Sequence, residues 1–116
     1  MNIYKSVQFK KKELLKLRQD CEDYVWAVVD PIRCVISLGD DYLVDLRDVL
    51  LVRHCRPENL FGIGFDLNTG EINYVSQINR RNPTVEPSGK LSTKDQENIE
   101  RTLRYFFEKL PIYREV

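Results

Sequence analysis

The chain has 116 residues, of which 42% are hydrophobic and 31% are charged, values that exclude an intrinsically disordered chain. The length is that of one domain, so we expect a single domain over residues 1–116. Eighteen basic and eighteen acidic side chains cancel, so the chain lacks the overall basic excess that is typical of nucleic-acid-binding domains.

The charges are unevenly divided along the chain. Residues 1–20 carry six basic and two acidic side chains, whereas residues 21–60 carry four basic and eight acidic ones. We therefore expect a surface with regions of both signs, which by itself does not indicate a nucleic-acid partner.

The sequence contains no sign of a membrane protein. No apolar stretch approaches the roughly 20 residues that cross a bilayer, and the first residues lack the apolar run of a signal peptide. We therefore expect a cytoplasmic protein with no membrane partner. The cysteines, Cys21, Cys34 and Cys55, include no CxxC pair, so we expect reduced thiols, no zinc site and no cofactor.

The first predicted elements are an edge strand over residues 2–9 and an amphipathic helix over residues 11–23. In the helix Leu14, Leu17 and Cys21 recur at three- and four-residue spacing.

A first hairpin follows the helix. Residues 24–29 and 34–38 predict two strands that are joined by a turn at Pro31. Because the first strand is apolar at successive positions, we expect it to be covered on both faces or to lie near the centre of the sheet.

A second helix is predicted from Tyr42 to His54, with acidic residues near its start. The neighbouring His54 and Cys55 suggest Cys-His catalysis, but a core or cap role is the favoured interpretation of a histidine on the apolar side of a helix. That apolar side carries Leu43, Leu46, Leu50 and His54.

The second hairpin is predicted over residues 60–66 and 71–78. Its first arm directs large apolar residues to one face of the sheet and Gly62 and Gly64 to the other. Glycines inside a strand indicate that another group approaches closely. We expect that group to be Trp26 or a helix, ahead of a ligand.

A polar loop is predicted over residues 79–91, before the last helix. Ser92 and Asp95 approximate a capping box at the start of that helix, and Pro111 predicts its end. Its apolar seam contains Ile99, Leu103, Phe106 and Leu110. The elements together predict an α+β fold with an antiparallel sheet of four to five strands, built from two hairpins. Three helices pack mainly on one face, in the order (β)-α-β-β-α-β-β-α.

Three functions are compatible with these features. Because no catalytic constellation is present, we favour a non-enzymatic interaction or regulatory module that binds a protein partner or self-associates. The alternative is a nucleic-acid-binding protein that uses the basic residues Lys10, Lys11, Lys12, Lys16, Arg80 and Arg81. A third hypothesis is an Mg²⁺-dependent enzyme, although a solvated helix face is the simpler interpretation of its carboxylates, Asp41, Asp45 and Asp48.

The chain also contains the segments WAVVD, DVLL, PENLFGIGFDL and INYVSQINRRNP, spread over most of residues 10–110. This succession resembles the prokaryotic domain-of-unknown-function family numbered 5674. In that family the second hairpin opens with an acid or amide, Leu, Trp, Gly, Ile and Asn, and its second arm ends in Ser-x-Ile-Asn and an arginine. The matching positions are Asn59, Leu60, Phe61, Gly62, Ile63, Ser76, Ile78, Asn79 and Arg80 or Arg81. Phe61 replaces the tryptophan, and Gly64 replaces the asparagine.

The resemblance implies the fold outlined above and no activity, cofactor or partner, because none is assigned to the family. It favours a binding site at the end of the second hairpin. Loops carry binding residues more often than strands do, which favours the same region independently. The expected binding residues are Ser76, Asn79, Arg80 and Arg81, with Gly62 and Gly64 in any groove that leads to them.

Overall fold

A five-stranded antiparallel sheet forms the centre of the molecule. The structure, a computed structural model, describes residues 2–39, 42–75 and 91–114. The strands are β1 (Asn2–Lys5), β2 (Tyr24–Asp30), β3 (Val35–Gly39), β4 (Phe61–Asp66) and β5 (Ile72–Tyr74). They are arranged in the order β1-β3-β2-β4-β5. The α+β fold and its order of elements are therefore confirmed, with β1 as an edge strand and the apolar β2 at the centre.

Four α-helices and one 3-10 helix (Pro57–Asn59) accompany the sheet in the described residues. The α-helices are α1 (Lys11–Cys21), α2 (Leu43–Val52), α3 (Thr93–Phe106) and α4 (Pro111–Arg114). At the start of α3, Ser92 Oγ accepts a hydrogen bond from the Asp95 N–H at 3.1 Å, as its sequence predicts. The last of the predicted helices, α3, ends at Phe106, earlier than predicted, and Pro111 begins the short helix α4. Proline suits the first turn of a helix, where its missing N–H costs no hydrogen bond.

An aspartate builds the turn in each hairpin. Asp30 Oδ1 accepts hydrogen bonds from the N–H groups of the residues two and three positions later, at 2.9 and 3.1 Å. Asp66 Oδ1 does the same at 2.8 and 3.1 Å. A side-chain acceptor of this kind satisfies turn N–H groups that lack a strand partner.

The two faces of the sheet are covered differently. One face carries the larger core, because α1 and α3 pack on it against the inward-facing residues of β2 and β4. These residues are Val25, Ala27, Val29, Phe61, Ile63 and Phe65. The other face is covered by α2, through a smaller cluster of Val28, Val35, Leu46, Leu50, Cys55 and Leu60. Two of the three predicted helices thus share one face, and the second predicted helix lies on the opposite one.

Candidate protein-interaction surface

The short helix α2 leaves two aromatic side chains of β2 outside the cluster that it forms with the sheet. Tyr24 and Trp26 lie on the same face as Val28, but 37% and 38% of their surface is exposed. Their rings meet edge to face, with centroids 5.4 Å apart and planes at 71°. Since a folded chain usually buries a tryptophan for the most part, this pair is a candidate contact surface.

Gly64 forms part of the floor under this pair. It is paired with Trp26 across β2 and β4, and a Cβ added to it would lie 2.9 Å from Cζ of Tyr24. The phenol ring therefore lies across β4 directly over Gly64, where any larger side chain would have to displace it. The group that covers Gly64 is Tyr24, rather than the predicted Trp26 or helix. Gly62 is buried and pairs with Val28.

Carboxylates border the aromatic pair on both sides. On one side a depression of about 310 Å³ is lined by Asp20, Glu22, Trp26 and neighbouring residues. On the other side Asp66 and Glu71 line a depression of about 260 Å³ next to Tyr24. We call this region, with Tyr24, Trp26, Asp20, Glu22, Asp66 and Glu71, the Tyr24–Trp26 surface.

The electrostatic balance near this surface is negative. Five carboxylates lie on or beside it, and two cations of α1 offset them: Lys16 pairs with Asp20 at 3.5 Å, and Arg18 Nε donates to Asp23 at 2.7 Å. The hydrogen bond with Asp23 raises the pKa of Arg18, so that cation is already engaged. Counted over the described residues, three negative charges remain uncompensated. The five carboxylates are those of Asp20, Glu22, Asp23, Asp66 and Glu71.

A left-handed turn places Glu22 at the border of the surface. Glu22 and Asp23 have φ angles of 51° and 67°, which non-glycine residues adopt at a cost of about 1 kcal/mol each. Asp23 is held by Arg18 and accepts the Leu67 N–H on its carbonyl oxygen at 2.8 Å. The turn is therefore fixed to β4, and it presents the carboxylate of Glu22 beside Trp26.

The family model described as "Protein of unknown function (DUF5674)" matches residues 3–105. The chain belongs to this family. The resemblance seen in the sequence motifs is thereby confirmed, and every residue of the Tyr24–Trp26 surface lies within the DUF5674 match. No curated protein and no solved structure matches the chain.

The site favoured by the DUF5674 resemblance falls outside the described residues. Ser76, Asn79, Arg80 and Arg81 belong to the segment 76–90, which the structure does not describe.

The lysines around α1 are exposed, and three of them lie away from the aromatic pair, whereas Lys16 pairs with Asp20 at 3.5 Å. Lys10, Lys11 and Lys12 surround the start of the helix, about 15 Å along its axis from its end. Moreover, α1 packs on the sheet face opposite to Trp26. At this end of the helix, the carboxylate of Glu13 accepts a hydrogen bond from the Lys10 N–H at 2.8 Å. This hydrogen bond and the ammonium group of Lys5 lower the pKa of Glu13.

The carboxylates proposed for Mg²⁺ form no metal site in the described part of the chain. Asp45 and Asp48 are exposed on α2, and Asp41 lies outside the described residues. Among residues 2–39, 42–75 and 91–114, no group of three or more His, Cys, Asp or Glu side chains is placed to hold a metal ion. In the same ranges, no helix combines the length and the apolar character that a membrane span requires.

The adjacent His54 and Cys55 are separated by the geometry of the chain. His54 is exposed with φ 67°, whereas Cys55 is buried under α2. Burial and, to a smaller extent, Asp30 raise the pKa of Cys55 to about 11, so the thiol stays protonated at neutral pH. Cys34 is also a free thiol. The histidine is a cap residue, which is the favoured interpretation of its position.

Sequence reasoning missed Tyr24 and Trp26 because they lie in a continuous apolar run, YVWAVV, that is typical of a buried central strand. A partial signal was present. Tyr24 and Trp26 are two positions apart and share one face with Val28, so a helix too short to cover that face would leave them open. The pairing of Trp26 with Gly64 is a long-range feature that one sequence does not display.

Proposed function

We propose that this protein is a non-enzymatic binding module that holds a Lys- or Arg-rich segment of a partner protein on the Tyr24–Trp26 surface. The observation that carries this proposal is the exposed aromatic pair between two groups of carboxylates. An ammonium or guanidinium group is attracted to the face of a tryptophan or tyrosine ring and also to the carboxylates beside it.

The shape of the surface supports an extended segment rather than a compact ligand. Two separate depressions, of about 260 and 310 Å³, lie on either side of Tyr24, which lines both. A segment that crosses the ring would place one cation near Asp20 and Glu22 and another near Asp66 and Glu71. Tyrosine and tryptophan are also enriched at protein interfaces, because they contribute large contact area at a small cost in conformational entropy.

The same charges favour a basic protein segment over a nucleic acid. Aromatic side chains on a sheet do stack with bases, but such platforms are surrounded by cations that contact phosphates. Around Tyr24 and Trp26 the described side chains carry an excess charge of −3, and that charge repels a phosphate backbone.

The experiment is a calorimetric titration with an eight-residue peptide of alternating Lys and Gly. We expect saturable binding that weakens as salt is added, and that weakens about tenfold in Trp26→Ala, the size expected for a cation–π contact. Tyr24→Ala and the double variant Glu22→Gln, Glu71→Gln should weaken binding as well. Tyr105→Ala is the matched control, because Tyr105 is 39% exposed but lies on α3.

Three outcomes would overturn the proposal. The first is equal affinity for a Glu-Gly peptide of the same length, and the second is equal affinity for a single-stranded oligonucleotide. The third is a dimer in sedimentation equilibrium that Trp26→Ala converts to a monomer, since the surface would then bind a second copy of the chain.

Glu22→Gly provides a test that separates binding from stability. Glycine adopts the left-handed turn without strain, so this variant should be more stable than the parent by up to about 1 kcal/mol. It should nevertheless bind the Lys-Gly peptide more weakly, because one of the bordering carboxylates is gone. A variant that is more stable and binds equally well would show that Glu22 takes no part in recognition.

A further inference from the structure

A second concave site lies between β5, α3 and α4, next to the depression beside Tyr24. Its volume is about 230 Å³, and it is lined by Gly70, Ile72, Tyr74, Glu100, Arg104 and Tyr113. The side chains of Ile72 and Tyr74 belong to the face that packs against α1 and α3, whereas Tyr24 and Trp26 lie on the other face of the sheet. Ile72 lines both this pocket and the depression beside Tyr24.

The first notable feature of this pocket is the hydroxyl group of Tyr74. It is buried and has no hydrogen-bond partner among the described residues. Burial, with a smaller contribution from Glu100, raises the pKa of Tyr74 to about 12, so the group is a protonated donor at neutral pH. Buried hydroxyl groups in folded proteins nearly always have a partner, so an acceptor supplied by a ligand would complete this one.

The second feature is a pair of opposite charges that do not neutralise each other. Glu100 and Arg104 lie one turn apart on α3, a spacing that suits an ion pair. The ion pairs formed within the described part of the chain do not include one between them. The guanidinium of Arg104 lies instead over the ring of Tyr113, with Cζ 5.1 Å from the ring centroid.

We propose that this pocket binds a small zwitterion, such as a free α-amino acid. Arg104 donates hydrogen bonds to the carboxylate of the ligand, and Glu100 accepts them from its ammonium group. The Tyr74 hydroxyl donates to a carboxylate oxygen, while Ile72 and the backbone at Gly70 contact the apolar part. The modest volume suits a ligand of this size, since pockets for drug-sized molecules begin near 300 Å³.

The experiment is a calorimetric titration of the full chain with each of the twenty free amino acids, and with acetate and methylammonium as half-ligands. We expect saturable binding of at least one amino acid, and binding at least tenfold weaker for both half-ligands. Glu100→Gln and Arg104→Gln should each lower the affinity for the amino acid at least tenfold. Glu97→Gln and Arg101→Gln are the matched controls, because they form a pair of the same spacing on α3 that does not line the pocket.

Tyr74→Phe keeps the proposal testable if the charged variants fold poorly. It removes an unpartnered buried hydroxyl, so the free protein should be at least as stable as the parent in urea unfolding. The same variant should bind the amino acid more weakly. The proposal is overturned if no amino acid binds, if acetate or methylammonium binds as tightly as the amino acid, or if all three pocket variants bind like the two controls.

Discussion

Gly64 and Gly70 are glycines for different physical reasons. At Gly64 the backbone conformation is open to any residue, and the obstacle to a side chain is the ring of Tyr24 that lies across the strand. At Gly70 φ is +79°, a conformation that disfavours every L residue, and an added Cβ would also lie 2.9 Å from Cδ1 of Ile112. One glycine therefore accommodates a movable side chain, whereas the other is required by the hairpin turn itself.

This difference predicts the effects of two alanine substitutions. Gly64→Ala should change the free energy of unfolding by less than about 1 kcal/mol, because the exposed ring of Tyr24 can swing aside. Gly70→Ala should destabilise by about 1–2 kcal/mol, since the strain in its backbone has no such release. Urea unfolding of both variants measures the two values. A larger loss for Gly64→Ala than for Gly70→Ala would show that Tyr24 is held rigidly.

Two buried acidic groups predict how stability depends on alkaline pH. Burial raises the pKa of Cys55 from 9.0 to about 11 and that of Tyr74 from 10.0 to about 12. In the unfolded chain both groups ionise at lower pH, so the folded state binds more protons in between. Stability should therefore be constant up to about pH 9 and fall between about pH 9 and 12. A pKa moved from 9.0 to about 11 accounts for at most about 3 kcal/mol.

The measurement is urea unfolding between pH 7 and pH 12 for the parent chain and for Tyr74→Phe and Cys55→Ala. Compared with the parent chain, Tyr74→Phe should lose less stability above about pH 10. Cys55→Ala should lose less stability than the parent between about pH 9 and 11. Curves of the same slope for all three chains would contradict the assignment to these two groups.

At the scale of secondary structure, α2 ends in a motif that is normally completed by glycine. The Cys55 N–H donates to the Leu50 carbonyl at 3.1 Å, and the His54 N–H donates to the Leu51 carbonyl at 3.0 Å. These two bonds define the Schellman motif, in which the residue at position C′ is left-handed. That residue is His54, with φ 67°. Its imidazole is exposed as a consequence of this backbone conformation, although the helical pattern places it on the apolar side.

His54→Gly should stabilise the protein by about 1 kcal/mol, because glycine adopts the left-handed conformation without steric cost. Thermal unfolding measures the change. The control is Arg53→Gly, at a position whose φ is −90° and whose guanidinium lies 4.1 Å from the centroid of the Tyr4 ring. That variant should lose stability. If His54→Gly also lost stability, the imidazole would have a role beyond the cap.

The elements themselves were largely predictable from local pattern. Alternation placed Phe61, Ile63 and Phe65 on the core face of β4, and the structure buries all three. The face on which α2 lies was not predictable, because an amphipathic helix specifies only that one of its sides is buried. The short helix at Pro111 was missed because proline was interpreted as a stop after a helix, whereas here it begins the next one.

For the molecule as a whole, the two faces of the sheet differ in how completely helices cover them. The face under α1 and α3 forms the larger core and borders the pocket at Tyr74, whereas α2 covers only part of the other face. The exposure of Tyr24 and Trp26 follows from that incomplete cover. Only part of their surroundings could be predicted from the sequence. Asp20 and Glu22 lie next to them along the chain, whereas Asp66 and Glu71 come close to them only because β2 pairs with β4.

The emission of Trp26 tests the proposed binding of a basic segment most directly, because the chain contains one tryptophan. On titration with the Lys-Gly peptide at low salt, the emission should shift saturably to shorter wavelength as the peptide covers the ring. The shift should be lost in about 0.5 M NaCl, where the Debye length falls to about 4 Å. Unchanged emission at millimolar peptide, or an equal shift with the Glu-Gly peptide, would contradict the proposal that this surface recognises basic segments.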